Sequence, residues 1–574
     1  MSQPPLVSAD DFDGDLVSYA LHQTASNDDR AILIDASNPS NCLSRRAVRT
    51  IVSCLTDGLV TRGVRPGDTV CLHMFNHIWY PAIFLAIVGA GAQFTATNPA
   101  YTTTELAHHL KISNTSWIIT ESTHLKEMRR AAEVACVKSD HIFLRSDNVL
   151  DAEIDGHTTL SELMSSRKGL VSASDSNEPY RMNNIAVSST TIATLCSTSG
   201  TTGLPKMAAR SHHSLYMESL AIEDTNPKPY PIRRLLTVPF FHAFGAPIAL
   251  LNSLRFGHPT FVMRKFDQTQ YLAAIERFRI TETVMPPPLL IKLRAMPEAN
   301  RLMLKSLHQV WSGGAPLSAE IQNNALDMFA PGARIVQVWG MTEAGWITTF
   351  KYPESDSTGS VGKLIPTYQV KVVDTNGNEL KEPNQVGEIL VKGPCTMMGY
   401  YNNPKATAEV FDQNGWLRTG DLGRIGPDKK VYVFDRVKEL IKVRGWQVAP
   451  AEIEGRLIEH ANIVDAAVIG IDCPESGTEI PRAYVVLRDG ESMDSAEIID
   501  HLKGSLAKYK VNDCQIRFRN SIPKSPTGKI LRKVLREEVR SEAEASTIDV
   551  DCQHEMVDTP VMLQAFPDSV HVRA

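Results

Sequence analysis

Short apolar runs alternate with helical stretches up to about residue 350, and this alternation restricts the fold more than any other feature of the chain. Residues 69–72 and 117–119 have the composition of buried strands, and the apolar residues 84–88 between them have that of a helix. Further buried strands are predicted at residues 192–195, 234–238, 260–263 and 283–285. Strands that alternate with helices are typical of α/β layers with mostly parallel sheets.

The pattern changes at about residue 359 to short strands and turns, which predict a smaller β subdomain up to residue 435. Beyond Arg436 a compact α+β segment follows, and its last element is predicted to be an amphipathic helix over residues 529–539. The sequence thus predicts an α/β fold. A large N-terminal domain of layered sheets (1–435) carries the β subdomain and precedes a small C-terminal domain (436–540). The acidic, patternless tail (541–574) is expected to be disordered.

Composition excludes several classes of protein. The net charge of −6 gives no reason to expect nucleic acid or an anionic membrane as a partner. The nine cysteines form no Cys-x-x-Cys pair, which argues for reduced thiols rather than a disulfide framework or a zinc site. The most apolar stretch, residues 80–94, is too short and glycine-rich to span a membrane. We expect a cytosolic protein without a signal peptide or transmembrane segment, and a peroxisomal location stays open.

The segment from Cys196 to Lys206 is the strongest chemical signal. It has five hydroxyl side chains, two glycines, a proline and a lysine, directly after an apolar run with the composition of a strand. Hydroxyls, backbone N–H groups close to glycines and a lysine are the groups that hold phosphate oxygens. The segment is not a Walker A loop, because Leu204 and Pro205 separate its second glycine from the lysine. A flexible surface linker is the alternative interpretation.

Downstream segments add matching chemistry. Residues 337–343 combine a tryptophan, a glycine, a threonine and a glutamate, which can stack on a purine, hold a phosphate and ligate Mg²⁺. The Thr-Gly-Asp turn at residues 419–421 exposes a carboxylate of the kind that binds a ribose diol. A basic series follows from Arg436 to Arg444, and Lys529 lies on a turn shaped by proline and glycine. Each segment alone is weak, but their joint occurrence in this order indicates a nucleotide-binding enzyme.

Together these segments resemble the adenylate-forming superfamily of acyl-CoA synthetases, luciferases and adenylation domains. They are most similar to 4-coumarate–CoA ligase and related acyl-CoA ligases, and the resemblance covers roughly residues 30–540. It rests on residues 197–206, 312–317, 337–345, 393–401, 415–421, 435–442 and 526–529. The resemblance implies a two-step reaction. A carboxylate attacks the α-phosphorus of Mg·ATP to give acyl-AMP and pyrophosphate, and the thiol of CoA then displaces AMP. It also implies that the small C-terminal domain is mobile and rotates between the steps about a hinge at Lys438.

The resemblance assigns roles to single residues. It implies Lys529, His242, Thr342 and Glu343 as the catalytic set, with Lys529 neutralising charge at the α-phosphate and Glu343 holding Mg²⁺. Trp339 stands where the family usually has a tyrosine against adenine. The residues implied to bind ATP and CoA are Ser197, Thr198, Ser199, Gly200, Thr201, Thr202, Gly203, Lys206, Gly313, Gly314, Ala315, Gln337, Trp339, Gly340, Thr342, Asp421, Arg436, Lys438, Lys442, Arg444, Gly445 and Gln447. Asp421 and Arg436 are expected at the ribose, Arg444 and Gly445 at the CoA channel, and Lys265 at a CoA phosphate.

The acyl pocket follows by position in the family pattern. The implied lining is His242, Ala243, Phe244, Ile248, Met285, Gly313, Gly340 and Trp346. This mostly apolar lining favours an aryl or medium-chain acid, and His242 is expected to orient the acyl group rather than act as a base. Phe244 stands where coumarate ligases have a tyrosine hydroxyl, which favours unsubstituted aryl or aliphatic acids over hydroxycinnamates.

The sequence departs from the family pattern at one position and leaves three alternative functions open. Met207 replaces the usual glycine after Lys206, and it would carry strain if its backbone needed a positive φ. The acceptor thiol could belong to the phosphopantetheine of an acyl carrier domain instead of CoA. The chain could also be a luciferase-like oxidase, or an adenylate-binding sensor that has lost catalysis. Lys206, Glu343 and Lys529 together argue against the sensor.

Overall fold

The computed structural model describes residues 15–21, 29–146, 153–165, 189–198, 205–443, 446–473, 478–525 and 528–542. The helices are α1 (Leu16–Leu21), α2 (Arg45–Arg62), α3 (Tyr80–Gly89), α4 (Thr103–Ile112), α5 (Leu125–Val134), α6 (Leu160–Ser165), α7 (His212–Ile222), α8 (Ser253–Phe256), α9 (Gln268–Phe278), α10 (Pro287–Arg294), α11 (Glu298–Leu302), α12 (Ala319–Ala325), α13 (Pro404–Val410), α14 (Pro450–Ile458), α15 (Ser495–Lys503), α16 (Lys508–Val511) and α17 (532–542).

The strands are β1 (Ala31–Asp35), β2 (Cys42–Ser44), β3 (Thr69–His73), β4 (Gln93–Ala96), β5 (Thr115–Glu121), β6 (Ile142–Arg145), β7 (Glu153–Ile154), β8 (His157–Thr158), β9 (Ile192–Ser197), β10 (Met207–Ser211), β11 (Arg234–Leu236), β12 (Thr260–Val262), β13 (Glu282–Val284), β14 (Gln309–Gly313), β15 (Arg334–Met341), β16 (Gly345–Thr349), β17 (Gly362–Leu364), β18 (Gln369–Val373), β19 (Glu379–Leu380), β20 (Gly387–Lys392), β21 (Gly399–Tyr400), β22 (Leu417–Ile425), β23 (Lys430–Arg436), β24 (Ile441–Val443), β25 (Trp446–Val448), β26 (Ile463–Cys473), β27 (Thr478–Leu487) and β28 (Gln515–Phe518).

Helix ends coincide with local capping signals. Thr102 and Glu105 form a reciprocal capping box at the start of α4, and Asp494 and Glu497 form one at the start of α15. Helix α2 ends at Gly63, whose φ of 110° lets the chain turn back at the helix end. Local sequence therefore sets these boundaries before any tertiary contact does.

Two large sheets form the N-terminal part. The first has the order β21-β10-β9-β4-β3-β5-β6 and is parallel from β9 to β6. The second has the order β19-β18-β20-β22-β23-β17-β16-β15-β14-β13-β11-β12-β1-β2 and is parallel from β15 to β1. The α/β architecture predicted from the alternation is confirmed, and among the strands before residue 350 the pairing is mostly parallel, as predicted.

The β subdomain extends the second sheet instead of forming a sheet of its own. Strand β15 pairs in parallel with β14 and antiparallel with β16, and β16 leads through β17 to β23. The motif at residues 337–343, at the end of β15, and the Thr-Gly-Asp residues 419–421, which lie within β22, are consequently connected by one hydrogen-bonded sheet.

The largest hydrophobic cluster lies between the two sheets. It joins residues of the first sheet, such as Phe94 and Ala208, to residues of the second, such as Leu236 and Val336, around the fully buried helix α3. A second cluster, which includes Leu235 and Val310, packs on the other face of the second sheet. Adjacent residues of one strand therefore point into different cores, as the pleat requires.

The small C-terminal domain has its own three-stranded sheet, β26-β27-β28. Its last helix begins at residue 532, three residues later than predicted. Residues 528–531 form a turn instead, in which Ile530 bridges back to Lys524 and Leu531 donates to the Pro523 carbonyl. Leu535 of α17 is fully buried, in agreement with the predicted apolar face.

Within the described ranges, no helix is both long and apolar enough to cross a membrane. The eight cysteines in the described part of the chain are free thiols.

Candidate active site

The two ends of the predicted phosphate loop meet at the edge of the first sheet. Thr198 N–H donates to the Lys206 carbonyl at 2.8 Å, and Lys206 N–H donates to Thr198 Oγ1 at 3.3 Å. Ser197 closes β9 and Met207 opens β10, so the loop connects two antiparallel strands. The loop residues Ser199, Gly200, Thr201, Thr202 and Gly203 lie outside the described residues.

Met207 does not carry the strain that a positive φ would impose. It lies in the extended strand β10, is almost fully buried, and is not among the described non-glycine residues with positive φ. A glycine is therefore not required at this position.

Tyr400 connects the phosphate lysine to the predicted metal ligand. The Lys206 ammonium lies 4.9 Å from the centre of the Tyr400 ring, and the Tyr400 hydroxyl donates to Glu343 Oε1 at 2.8 Å. Glu343 is buried, and its carbonyl also accepts a hydrogen bond from Met397 N–H. Thr342, on the same turn after β15, is half-buried. Lys206, Thr342 and Glu343 thus form one group around a tyrosine that the sequence analysis did not select.

The predicted glycine segment lies at the carboxyl end of β14. A Cβ on Gly313 would lie 2.5 Å from the Val338 carbonyl oxygen and 3.2 Å from Phe244 Cζ. Gly314 has a φ of 84° and open space around it, and Ala315 follows half-buried. Gln337 donates from Nε2 to the Leu317 carbonyl at 3.1 Å, which ties β15 to the residues after this turn.

Asp421 is buried within strand β22, so the prediction that this carboxylate is exposed on a turn was wrong, and two donors hold it in place. Trp339 Nε1–H donates to Asp421 Oδ2 at 2.8 Å, and Arg436 Nε lies 2.9 Å from Asp421 Oδ1. Arg436 also donates to the Thr419 carbonyl at 2.6 Å. Burial raises the pKa of the Asp421 carboxyl, although Arg436 and the Trp339 hydrogen bond act in the opposite direction. The predicted adenine and ribose residues therefore form one hydrogen-bonded unit.

Lys529 faces this unit from the small domain. Its turn is closed by Ser525 N–H donating to the Lys529 carbonyl at 2.8 Å, and Gly528 has a φ of 83°. A Cβ on Gly528 would lie 3.0 Å from Pro288, so the turn packs closely on the start of α10. Burial and the Arg436 charge lower the pKa of Lys529, and Asp421 partly offsets them.

His242 lies within electrostatic range of Lys529. Its Nδ1 accepts a hydrogen bond from Phe244 N–H at 3.2 Å. Burial, with the Lys529 charge as a second cause, lowers the pKa of His242 to about 4. The imidazole is therefore neutral at physiological pH, as expected for an orienting group.

Two aromatic side chains of the predicted acyl lining pack against each other. The Phe244 and Trp346 ring centres are 5.5 Å apart, and Trp346 Nε1–H donates to the Phe244 carbonyl at 3.0 Å. Ile248 is buried in the π-helical segment Pro247–Asn252, and Ala243 is half-buried beside His242. Gly340 lies against the Gly345 carbonyl with no room for a side chain. Met285 is not brought to this group, because it packs in the cluster on the other face of the sheet.

The predicted hinge and CoA lysines are exposed. Lys438 is exposed in the short 3-10 turn Val437–Glu439, and Lys442 is exposed on β24. Lys442 and Gln447 are partners in the β24–β25 hairpin, while Arg444 and Gly445 lie outside the described residues. Lys265 lies over the Phe75 ring, 3.8 Å from its centre.

Sequence reasoning missed two residues that shape the site. Tyr400 belongs to a motif that supported the family resemblance, but no local pattern shows that its hydroxyl donates to Glu343. Pro288 receives the Lys529 turn, and only the docking of the two domains identifies it.

Comparisons with known proteins agree with this geometry. The chain matches the family model for AMP-binding enzymes over residues 21–401 and that for the AMP-binding enzyme C-terminal domain over residues 452–529. It is 38% identical to the phenylacetyl-CoA ligase epaB of Aspergillus niger, with 91% of this chain and 96% of the relative covered. It is 39% identical to the acyl-CoA ligase M9 of a Phoma species, with 92% and 96% covered.

Solved structures show the same fold. The anthranilate CoA ligase AuaEII, solved in complex with anthranoyl-AMP, superposes with a TM-score of 0.81 at 22% identity, over 94% of this chain and 100% of that one. ATP and CoA are the substrates that adenylate-forming CoA ligases share. The chain therefore belongs to the AMP-binding enzyme family and is an AMP-forming acid–thiol ligase.

Proposed function

We propose that this ligase activates an apolar aryl or medium-chain carboxylic acid as acyl-AMP and transfers the acyl group to CoA. The observation that supports this most is the position of Lys529, close to Asp421 and Arg436 and within electrostatic range of His242. A cation at this point would lie close to both substrates: the acid, which would bind beside His242, and the nucleotide, which would bind at Asp421. Its charge would stabilise the negative charge that develops as the carboxylate attacks the α-phosphorus and pyrophosphate leaves.

The residues around Glu343 suit Mg²⁺. Glu343 Oε1 accepts from Tyr400, and Oε2 has no protein partner among the described residues. A single carboxylate together with substrate phosphates is the donor set that Mg²⁺ prefers. When bound, the ion would neutralise charge on the phosphates, while Lys206 and the ends of the phosphate loop would hold them in place.

The acceptor thiol is proposed to be that of CoA. The relatives' names, phenylacetyl-CoA ligase and acyl-CoA ligase, support CoA and an apolar acid. Residues around the exposed Lys438 hinge and Lys442 would serve the second step after rotation of the small domain. Lys265 would contact a CoA phosphate. A carrier-protein phosphopantetheine is the alternative acceptor, and a cytosolic location is part of the proposal.

The test is pyrophosphate release from Mg·ATP across aryl and medium-chain acids, with and without CoA. We expect acid-dependent release, accelerated by CoA, with an acyl-CoA product. Release that CoA leaves unchanged, with acyl-AMP held on the enzyme, would favour a carrier-protein acceptor. Absence of release with every acid would contradict the proposed acid class.

A Lys529→Ala variant separates an enzyme from a sensor. We expect pyrophosphate release to fall about 100- to 1000-fold, because one preorganised charge at a transition state contributes that much. Nucleotide binding, measured by calorimetry, should stay close to that of the wild type. Lys533→Ala is the matched control, since that lysine is largely exposed on α17. Equal release by both variants would contradict the role of Lys529.

A further inference from the structure

A small cavity lies beside the aromatic residues that are predicted to line the acyl site. Its apolar lining includes Ile248, Trp311 and Trp346, and its polar lining is Glu223, Asp224, Arg234 and Asn252. The space is about that of one water molecule. Because Ile248 and Trp346 are also predicted acyl-pocket residues, the cavity borders the predicted acyl site on the side of these buried polar groups.

Arg234 brings unused hydrogen-bond donors to this cavity. It is 1% exposed. Its Nε donates to Glu282 at 3.0 Å, and its two terminal nitrogens donate to Glu223 at 3.3 and 2.8 Å. A guanidinium has five N–H donors, so two have no acceptor among the described residues. Buried donors without an acceptor cost free energy, which favours a ligand or water that supplies one.

The neighbouring acceptors are already used. Glu223 Oε1 accepts from Arg234 and lies 3.4 Å from His258 Nε2, and Glu223 Oε2 accepts from Arg234 and Asn252. Asn252 Oδ1 accepts from Ser219 Oγ. The cavity therefore offers donors, so the group that fits it is a hydrogen-bond acceptor and not an ammonium.

The size of the cavity also disfavours an anionic ligand. A space of about one water molecule can take a single oxygen or nitrogen atom, but not a second carboxylate or a phosphate group. The buried charges around it are already shared, since Glu282 pairs with Lys228 as well as with Arg234. A neutral acceptor, such as a hydroxyl, carbonyl or ring nitrogen, meets both conditions.

Strand register gives the spacing along the sheet between Arg234 and the Gly313 end of the predicted acyl lining. Arg234 pairs with Glu282, which pairs with Gln309 of β14, and Gly313 follows Gln309 by four residues on the same face. Trp311 lies between them on that face, with the Arg234 guanidinium 5.5 Å from its ring centre. With a rise of about 3.3 Å per residue, Trp311 and Gln309 lie roughly 7 and 13 Å from Gly313 along β14.

We propose that the acid substrate carries a neutral hydrogen-bond acceptor at its distal end, and that Arg234 binds this acceptor in the cavity beyond Trp346. This inference rests on the proposed ligase function and narrows the proposed acid to one that is apolar except for this distal acceptor, in place of the unsubstituted acid that Phe244 alone would favour. Phe244 has no hydroxyl that could donate to this acceptor, so Arg234 would be the donor at the distal end of the acid.

The test compares acids that differ only at the distal atom. The wild-type enzyme is assayed for pyrophosphate release with pairs that carry hydroxyl or methyl at one position, such as 4-hydroxycinnamic and 4-methylcinnamic acid. A second pair, a medium-chain acid with and without a carbonyl near its end, covers flexible substrates. In at least one pair, we expect kcat/KM to be about tenfold higher for the acid that carries the acceptor. The reason is that the acceptor would pair with a buried N–H donor of Arg234 that otherwise has none.

Two variants locate the effect. Arg234→Lys keeps the charge and removes the guanidinium donors, and Ile248→Phe fills the cavity from its apolar side without touching the ion pairs. In both variants, the ratio of kcat/KM between the two acids of a pair should be close to one. Thermal unfolding checks that each variant is folded. The wild-type comparison needs no variant and decides the question alone if neither variant folds.

The outcomes separate the two proposals. Release with both members of every pair at equal kcat/KM, or with preference for methyl, would overturn the role of Arg234 and leave the ligase function intact. Absence of release with every acid would overturn the proposed acid class and the inference with it.

Discussion

Trp339 illustrates how a single residue difference acts in the site. Where similar ligases usually have tyrosine, this chain has an indole whose N–H donates to Asp421 Oδ2 at 2.8 Å. Arg436 Nε lies 2.9 Å from the other carboxylate oxygen, Oδ1. The tryptophan is therefore placed to fix the orientation of the carboxylate, in addition to any stacking on adenine.

Trp339→Phe keeps an aromatic ring and removes that donor. We expect KM for ATP to rise about tenfold with kcat less affected, because a hydrogen bond to a charged group contributes about 1.5 to 3 kcal/mol. The preference for ATP over 2′-deoxy-ATP should also narrow, since Asp421 would hold the ribose less firmly. Trp416→Phe, in the β subdomain, is the control. Unchanged KM and unchanged preference would show that the indole N–H has no part in ribose binding.

His242 gives a prediction about pH. Its pKa is lowered to about 4 from 6.5, so it is neutral in the folded protein above about pH 5. We expect the pH profiles of kcat/KM for the wild type and His242→Gln to be parallel between about pH 5 and pH 8. A limb near pH 6.5 that disappears in the variant would mean that the imidazole titrates as a base.

The lowered pKa of His242 also makes the free energy of unfolding depend on pH. A histidine whose pKa is lower in the folded state than in the unfolded state stabilises the fold above the unfolded value of 6.5. This contribution is lost as the pH falls from 6.5 towards 4. The pH dependence of the free energy of unfolding should therefore be weaker in His242→Gln over this interval.

At the scale of elements, the close pairing of β14 with β15 leaves no room for a side chain at Gly313. A Cβ at Gly313 would meet the Val338 carbonyl of the paired strand at 2.5 Å and the Phe244 ring at 3.2 Å. Neither neighbour is the end of a flexible side chain, because one is backbone and the other is a packed aromatic ring. Glycine here is required by strand spacing and not by a turn.

Gly313→Ala should lower both stability and acid activation. We expect a loss of about 1 to 3 kcal/mol in the free energy of unfolding, the usual cost of overpacking. Gly455→Ala is the matched control: Gly455 lies within α14 with nothing within 4 Å of an added Cβ, so we expect a gain of up to about 1 kcal/mol. Denaturant unfolding of both variants measures the difference, and equal behaviour would contradict the steric argument.

At the scale of the whole molecule, the site is divided between two domains. The phosphate-side group, Asp421 and His242 belong to the large domain, while Lys529 lies within electrostatic range of Asp421 and His242 from the small one. The chain passes between the domains through the turn Val437–Glu439, and Arg536 of α17 contacts Glu439 at that turn. Movement of the small domain would consequently withdraw Lys529 from the nucleotide as a unit.

Lys438→Pro tests whether this turn is a hinge. Proline restricts the backbone, so we expect pyrophosphate release within about threefold of the wild type and thioester formation reduced more than about tenfold. Lys438→Ala is the control, because the side chain is exposed and alanine keeps the backbone free. Equal loss in both half-reactions would show that the variant damages the fold and does not block rotation.

Local sequence determined the periodic parts of this protein. Apolar runs such as residues 69–72 and 466–469 became strands because their composition and spacing favour burial on a pleat, and the helix-forming periodicity of α17 put Leu535 in the core. The α/β class and the candidate residues Asp421, Glu343 and Lys529 followed from patterns in the chain. The start of α17 was misjudged because a bridge from Ile530 to Lys524 replaced its first turn.

Tertiary structure decided what no local pattern encodes. Val284 ends β13 in the cluster between the sheets, and the next residue, Met285, consequently lies in the cluster on the other face, away from Phe244 and Trp346. Register aligned Arg234 with Glu282 and Gln309, which put a buried cation at the end of an apolar lining. The sequence determined which side chains are available, whereas the partners of each side chain depended on contacts between residues far apart in the chain, which only the packed sheets and the docked domain could bring together.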